Sequence, residues 1–541
     1  MGEGQGSGKP RAALRLRSLL WIGALVVGAG VGVALGGPSC GHAPPSGPKP
    51  RVIAREPVQT VRPEEVEPIP ALAERLPLEW PAGVTPVENL ERGALDPVFV
   101  KMGRIDRGQE GVVLRSVQYG DSHTAADFFS GNVRRLLQTR FGDAGHGFML
   151  PGKPWRSYRH MDAESGVGNA RYWDAERIRY KHTPADLKLG YGGVTVWTDH
   201  RGATLWHETG RDGYGEQLSR LEVYYLKQPG GARFSVSVDG KRVGKPESTE
   251  ADDPAPGYFA VDVADGPHKV ELENLGPGPL RLFGVVMERA VSGVVYDSVG
   301  INGARASLPL QWDAELWKQH LAHRAPDLLI TAYGTNEVDD ALNYEEYGER
   351  FEELLLIMKA GAPSAGCLVL GPPDRAWKVT GEALLADAWA DARARAATAG
   401  DKTVWDTPQS LVEIHEAQRA AAHRAGCGFF SLYEAMGGRG AIDRWARSSP
   451  PLATGDRVHL TRDGYQRLAE SLTTSLLTAF AYYQDEPRVA EVIALLAPLP
   501  EDLAGEEAEA AAPRTEGMAG DVPDVGAGDG PVRPEPVNVA P

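Results

Sequence analysis

Hydrophobic and polar positions divide the chain into two textures. Val112 to Tyr119 is a mostly apolar run of the β type. It gives way to Gly120-Asp121-Ser122-His123 and then to Ala126, Phe129, Val133, Leu136 and Leu137 at helical spacing, which predicts strand, turn and helix. The same alternation resumes near Val294. Strands are predicted over Val294–Tyr296, Leu328–Tyr333, Cys367–Leu370 and Gly428–Leu432. Helices are predicted on the face Phe351, Leu354, Leu355 and Met358, near Leu384–Ala397, over Leu411–His423 and over Asp463–Tyr483. Such alternation predicts an α/β domain with a parallel sheet covered by helices on both faces.

From Arg156 to Glu288 the pattern changes to short alternating runs: Arg220–Lys227, Arg233–Val238, Tyr258–Val263, Lys269–Glu273 and Leu280–Val286. Turn signals such as Asp239-Gly240 and Asp265-Gly266 separate them. This spacing predicts an antiparallel β-sandwich or jelly roll inserted into the α/β domain rather than appended to it. Trp173, Tyr191, Trp197, Trp206 and Tyr214 lie along its first part; each is read as core packing or a loop anchor before a sugar-stacking platform.

The ends differ again. Lys9, Arg11, Arg15 and Arg17 precede a run of roughly 17 uncharged residues from Leu19 to Leu35, the pattern of a signal peptide or short membrane anchor. Three readings stay open: an uncleaved single-span anchor, cleavage near Leu35, and lipidation at Cys40, whose context Gly37-Pro38-Ser39-Cys40 only loosely matches a lipoprotein cleavage box. All three place the remaining chain in the cell envelope, on its periplasmic or extracellular face. The resulting division is residues 1–40 as basic N-terminus and anchor, 41–95 as a Pro-rich linker, and 96–155 as the first part of the α/β domain. Residues 156–289 form the inserted β domain, 290–485 the second α/β part, and 486–541 a short helix with an acidic, disordered tail.

Composition narrows the function classes. Lys plus Arg is 57 against 73 Asp plus Glu, a net charge of −16, which argues against nucleic acid as a partner and suits a neutral or carbohydrate substrate. Only three cysteines occur, too few for a disulfide scaffold or a zinc cluster of Cys pairs. Cys367 and Cys427 both start predicted strands, so a disulfide and two buried thiols are both open. His146, His160, His182, His207, His320 and His323 lack the sequence spacing of a metal site, and no metal or organic cofactor is expected.

Four blocks carry candidate chemistry. Gly120-Asp121-Ser122-His123 places Ser122 where a strand breaks into a helix, at the sheet edge where α/β folds hold reactive groups. Gly300-Ile301-Asn302-Gly303-Ala304 follows a strand and offers a backbone N–H, while Gly334-Thr335-Asn336-Glu337 ends another strand and offers the Asn336 amide. Asp456-Arg457-Val458-His459 supplies an imidazole base and, three residues earlier, a carboxylate to orient it. Any one block is ordinary turn chemistry; together they comprise a nucleophile, a base, an orienting acid and oxyanion donors. His123, beside the nucleophile, is read as a local packing or hydrogen-bonding residue and is left outside the triad.

On these four blocks the chain resembles the SGNH (GDSL-like) hydrolase superfamily, over roughly Val112–Phe141 and Val294–Tyr483. "YGDSHTAADFF", "RFGDAGHGFMLPGKPW", "YDSVGINGARA", "TAYGTNE" and "DRVHLT" are similar to the envelope branch that holds bacterial peptidoglycan O-acetylesterases, which carry a carbohydrate-binding-like β-sandwich with the catalytic core. The resemblance implies a three-layer SGNH/flavodoxin-like fold, Ser122 as nucleophile, His459 as base and Asp456 as its partner. It further implies an oxyanion hole from the Ser122 N–H, the Gly303 N–H and the Asn336 side chain, with Gly303 chosen over Gly300 on motif register. The expected activity is removal of O-acetyl groups from a cell-wall polysaccharide, peptidoglycan foremost. The alternatives are acetyl transfer to a sugar hydroxyl by the same triad and a non-catalytic sugar-binding envelope protein.

Overall fold

The computed structural model describes residues 78–179, 182–211, 213–380, 394 and 403–484. They all belong to one compact unit, Pro50–Pro541. The expected N-terminal anchor, most of the Pro-rich linker, nearly all of the expected helix near Leu384–Ala397 and the acidic tail lie outside the described residues.

One sheet runs through the α/β part. Its strands are β1 (Val87–Glu88), β2 (Val113–Gly120), β3 (Gly293–Gly300), β4 (Leu328–Ala332), β5 (Gly366–Gly371) and β6 (Gly428–Ser431). The order across the sheet is β1-β6-β5-β4-β2-β3, parallel throughout except for β1, which pairs antiparallel with β6. The five parallel strands therefore follow the doubly wound 2-1-3-4-5 order, whose switch point lies between β2 and β4. β1 falls inside the segment expected to be linker; a two-residue strand has no period to read.

Alternate residues along these strands point to opposite faces, and each face has its own core. Leu114, Tyr296, Ile330, Leu368 and Phe430 pack with α1 (Asp96–Asp106), α3 (Phe128–Phe141) and α7 (Arg462–Gln484). Val117, Val299, Leu329, Val369 and Phe429 share a cluster with residues of α4 (Ala314–Arg324), α5 (Tyr344–Gly361) and α6 (Gln409–Arg424). Burial on both faces explains why the strands read as continuous apolar runs. Helix α7 shows the matching helical stripe, with Tyr465, Leu468, Leu472, Leu476 and Phe480 buried. Cys367 and Cys427, at the heads of neighbouring β5 and β6, are joined in a disulfide, which decides between the two readings left open by sequence.

The five alternating runs of the middle segment are all strands, within two antiparallel sheets. One sheet is ordered Lys241–Ser248, Arg233–Val238, Lys269–Gly276, Thr204–Thr209, Ala163–Val167, and the other Ala255–Gly266, Leu218–Lys227, Leu280–Glu288, Thr195–Thr198, Asp174–Glu176. Apolar side chains from both, including Leu205, Phe234, Leu272, Val223 and Leu282, lie in one cluster. The second sheet also takes in Gly147–Met149, paired with Val285–Met287, so antiparallel pairing begins earlier in the chain than residue 156.

Candidate active site

The strand-to-helix turn after β2 is tighter than the sequence pattern suggested. Rather than one helix, a four-residue helix α2 (Ser122–Ala125) is followed by a break at Asp127, with φ +54°, before α3 begins. The break is held by the buried Asp127 carboxylate, which accepts hydrogen bonds from the Ser130 hydroxyl, the Arg134 guanidinium and the Met161 backbone N–H. Asp121 caps α2, its Oδ1 accepting from the His123 N–H at 2.9 Å. Ser122 is thereby the first residue of a helix at the C-terminal end of β2.

Ser122 Oγ lies 3.0 Å from His459 Nε2, and His459 Nδ1 lies 2.8 Å from Asp456 Oδ2. The loop before α7 sets this geometry: Asp456 Oδ1 accepts from the backbone N–H groups of Val458 and His459 at 2.9 and 3.0 Å, and the Thr454 hydroxyl donates to the same atom. Partial burial alone would raise the Asp456 pKa, but the hydrogen bonds from His459, Thr454 and the two backbone groups outweigh it and hold the carboxyl far below its usual range. Asp456 is therefore an anion facing an imidazole N–H. The His459 and Asp456 side chains are 42% and 49% exposed, so the site is open to water.

The other two blocks converge on the same place. In Ile301-Asn302-Gly303-Ala304 the Ala304 N–H donates to the Ile301 carbonyl at 3.0 Å, and Gly303 has φ +76°, a turn that favours glycine at that position. A Cβ on Gly303 would meet nothing within 4 Å, whereas one on Gly300 would sit 2.1 Å from the Ala125 backbone nitrogen. Gly300 is thus packed against the helix that carries Ser122, and Gly303 borders open space. Asn336 Nδ2 donates to the Ala304 carbonyl at 2.9 Å and to Asp121 Oδ2 at 3.3 Å, linking the second, third and first blocks.

Asp121, Glu337 and Arg375 support the site in ways the sequence reading did not foresee, while His123 packs and hydrogen-bonds locally as expected. Asp121, fully buried, spans His123 and Asn336, and burial pushes its carboxyl up to about 6. Glu337, also buried and pushed up to about 7, accepts from the Ala306 N–H at 2.8 Å and ties the glycine turn to the Asn336 loop. Arg375 fixes that loop from the other side, through the Thr335 carbonyl at 2.7 Å and an ion pair with Asp339. His123 packs beside His459 with ring centroids 5.4 Å apart and hydrogen-bonds the Tyr465 hydroxyl; burial and the neighbouring imidazole drive its pKa down to about 3, so it stays neutral. The only advance signal was Asp at an N-cap position.

One histidine pair is brought together by the fold although its spacing in sequence gave no sign of it. Asp127, His146 and His160 bring ligand-type atoms within 4.8 Å of one another. Yet Asp127 is already saturated by Arg134, Ser130 and the Met161 N–H, and His146 Nε2 and His160 Nδ1 lie 2.8 Å apart, in hydrogen-bonding contact. With a buried guanidinium beside it, the cluster suits a hydrogen-bonded tie better than a cation. Of the remaining histidines, His207 accepts from the Gly152 N–H, His320 contacts the Tyr258 hydroxyl and His323 pairs with Glu222.

A serine, an imidazole and a carboxylate in one hydrogen-bonded row at the switch point of a 2-1-3-4-5 sheet define a serine-hydrolase arrangement. Residues 266–467 match the GDSL-like lipase/acylhydrolase family. A solved peptidoglycan O-acetylesterase is similar at 25% identity and a TM-score of 0.55, covering 71% of this chain and 96% of its own. A family two carbohydrate esterase from Clostridium thermocellum in complex with cellohexaose is 12% identical, with a TM-score of 0.23 and coverage of 53% and 95%. Est24, a carbohydrate acetylesterase from Sinorhizobium meliloti, is 17% identical, with a TM-score of 0.21 and coverage of 34% and 78%. No curated protein matches the chain. Residues 266–467 are thus similar to GDSL-like acylhydrolases, and the chain resembles in fold an SGNH hydrolase of the peptidoglycan O-acetylesterase kind.

Proposed function

We propose that this protein is a serine esterase of the cell envelope that removes O-acetyl groups from peptidoglycan. The observation that carries the reading is the hydrogen-bonded row Ser122–His459–Asp456 at the C-terminal edge of the parallel sheet. Ser122 attacks the acetyl carbonyl while His459 takes its proton, and Asp456 stabilises the resulting imidazolium. The oxyanion is received by the Ser122 N–H, the Gly303 N–H and the Asn336 amide, whose longer bond, to Asp121, is the one that substrate replaces. The imidazolium then gives that proton to the sugar oxygen as the ester C–O bond breaks and the alcohol leaves. His459 next takes a proton from water as the water attacks the acetyl-enzyme, and returns it to Ser122 Oγ as acetate departs.

The polymer is inferred from the 25% identical peptidoglycan O-acetylesterase, and the two antiparallel sheets are read as the inserted carbohydrate-binding-like sandwich, 156–289 in the sequence division. Exposure of His459 and Asp456 favours hydrolysis over acetyl transfer, which requires water to be kept out. Envelope placement rests on the basic-apolar N-terminus, by which the chain is anchored or exported, and is supported by the Cys367–Cys427 disulfide, a bond that persists in oxidising compartments. Acetate release from O-acetylated peptidoglycan, with Ser122→Ala as control and an aryl acetate alongside, tests the reading. Release that disappears in the variant is expected; turnover of the aryl acetate alone moves the substrate elsewhere, and no turnover of either favours a sugar-binding protein.

A further inference from the structure

A cleft of about 810 Å³ opens beside the triad without including any member of it. One part of its lining comes from the first half of α3 and the start of α7, through Phe128, Arg135 and Arg462. The other part comes from the segment Lys153–Ser165 and from Trp206 of the antiparallel strands. It adjoins the chemistry through the chain itself: Ala126, in its lining, donates its N–H to the Ser122 carbonyl, and Arg462 stands three residues after His459. An acetyl group needs none of this space, which falls in the size range of sites for extended ligands.

The charges in the cleft are unevenly spent. Asp162 is buried and paired with Arg134 and Arg135, and the Arg462 guanidinium lies over the Phe128 ring at 5.0 Å. Lys153 and Arg159 are exposed and, among the described residues, have neither an ion pair nor a hydrogen bond. Trp206, half-buried with its ring against Gly166 and the Lys269 ammonium 4.7 Å from the ring centroid, borders the cleft. Glu164 and Asp463, also in the lining, are acceptors for sugar hydroxyls.

We propose that this cleft is a second, strand-holding subsite for an anionic glycan, with Lys153 and Arg159 meeting carboxylates carried on the strand. It deepens, and rests on, the proposed wall-esterase reading. A glycan held here enters the triad from the side of α3 and α7, so that the β segment selects the polymer while Ser122 acts on the ester.

The test uses the full chain with Ser122→Ala, which leaves acetylation constant, titrated calorimetrically with soluble disaccharide-peptide oligomers from digested peptidoglycan and with the neutral strand chitotetraose. Adding Lys153→Ala and Arg159→Ala is expected to weaken oligomer binding about tenfold or more, and Lys153→Glu with Arg159→Glu to weaken it further, with unchanged thermal melts showing that the variants fold. Chitotetraose is expected to bind more weakly than the oligomers throughout. Oligomer binding indifferent to both pairs of substitutions, or chitotetraose bound as tightly as the oligomers, overturns the proposal. Because binding is read in an inactive chain, oligomer affinity that depends on Lys153 and Arg159 upholds the cleft even if the native chain releases no acetate from peptidoglycan. Acetate release without that dependence upholds the esterase and removes the subsite.

Discussion

At the scale of single residues, the contacts around Ser122 carry measurable consequences. Under the proposed mechanism Asn336→Ala is expected to cost about 3 to 4 kcal/mol of transition-state stabilisation, seen in kcat rather than KM, because the amide would strengthen its bond only as the oxyanion forms. Glu337 gives a pH signature. Its carboxyl is raised from 4.5 to about 7, so between those values the folded chain holds more protons than the unfolded one, and stability falls as pH rises through that window. The fall is at most about 1.4 kcal/mol per pH unit from this group. Glu337→Gln should flatten the dependence of the urea midpoint on pH over that range, while Asp121 and Asp374, both pushed up to about 6, keep a residual slope in the same direction. The four blocks were legible in the sequence because each sits next to an apolar run and carries its own chemistry. Their supports were not: Asp121 with Asn336, Glu337 with Ala306 and His123 with Tyr465 join residues 215, 31 and 342 positions apart, and no local pattern records such distances.

At the scale of elements, the two glycines of the second block separate packing from conformation. Gly300→Ala forces a Cβ to within 2.1 Å of the Ala125 backbone, which cannot move without moving Ser122; a loss of about 3 kcal/mol or more in urea unfolding, together with lost turnover, is expected. Gly303→Ala has room and pays only for its left-handed backbone, about 1 kcal/mol. Equal losses at the two positions would contradict this division. Strands and long helices were readable from period because burial on one or both faces stamps the sequence directly. The break at Asp127 was missed because apolar positions stay in helical register across it, and what stops the helix is a carboxylate bonded to Met161, far outside any helical window.

At the scale of the whole molecule, the disulfide closes a loop of 60 residues across β5 and β6, so Cys367→Ser with Cys427→Ser should lower unfolding stability by about 4 kcal/mol in the chain-entropy account. Thermal melts with and without reductant check the figure. The overall architecture was visible in the alternation of textures, but the place where they join was not: three residues, Gly147–Met149, belong in sequence to the first texture and in hydrogen bonding to the second. That small pairing also bears on how the polypeptide assembles. Strands β2 and β3 lie side by side at one end of the sheet although the contact between Val112 and Ser292 spans 180 residues. Bringing such distant ends together is slow and entropically expensive for a loose chain. Pairing of Gly147–Met149 with Val285–Met287, held within the antiparallel strands, keeps the two ends of the intervening stretch together and leaves only short tethers to β2 and β3. Amide protection is therefore expected to arise in the antiparallel strands before the parallel sheet, so that Ser122 meets His459 last, after the surrounding protein has formed.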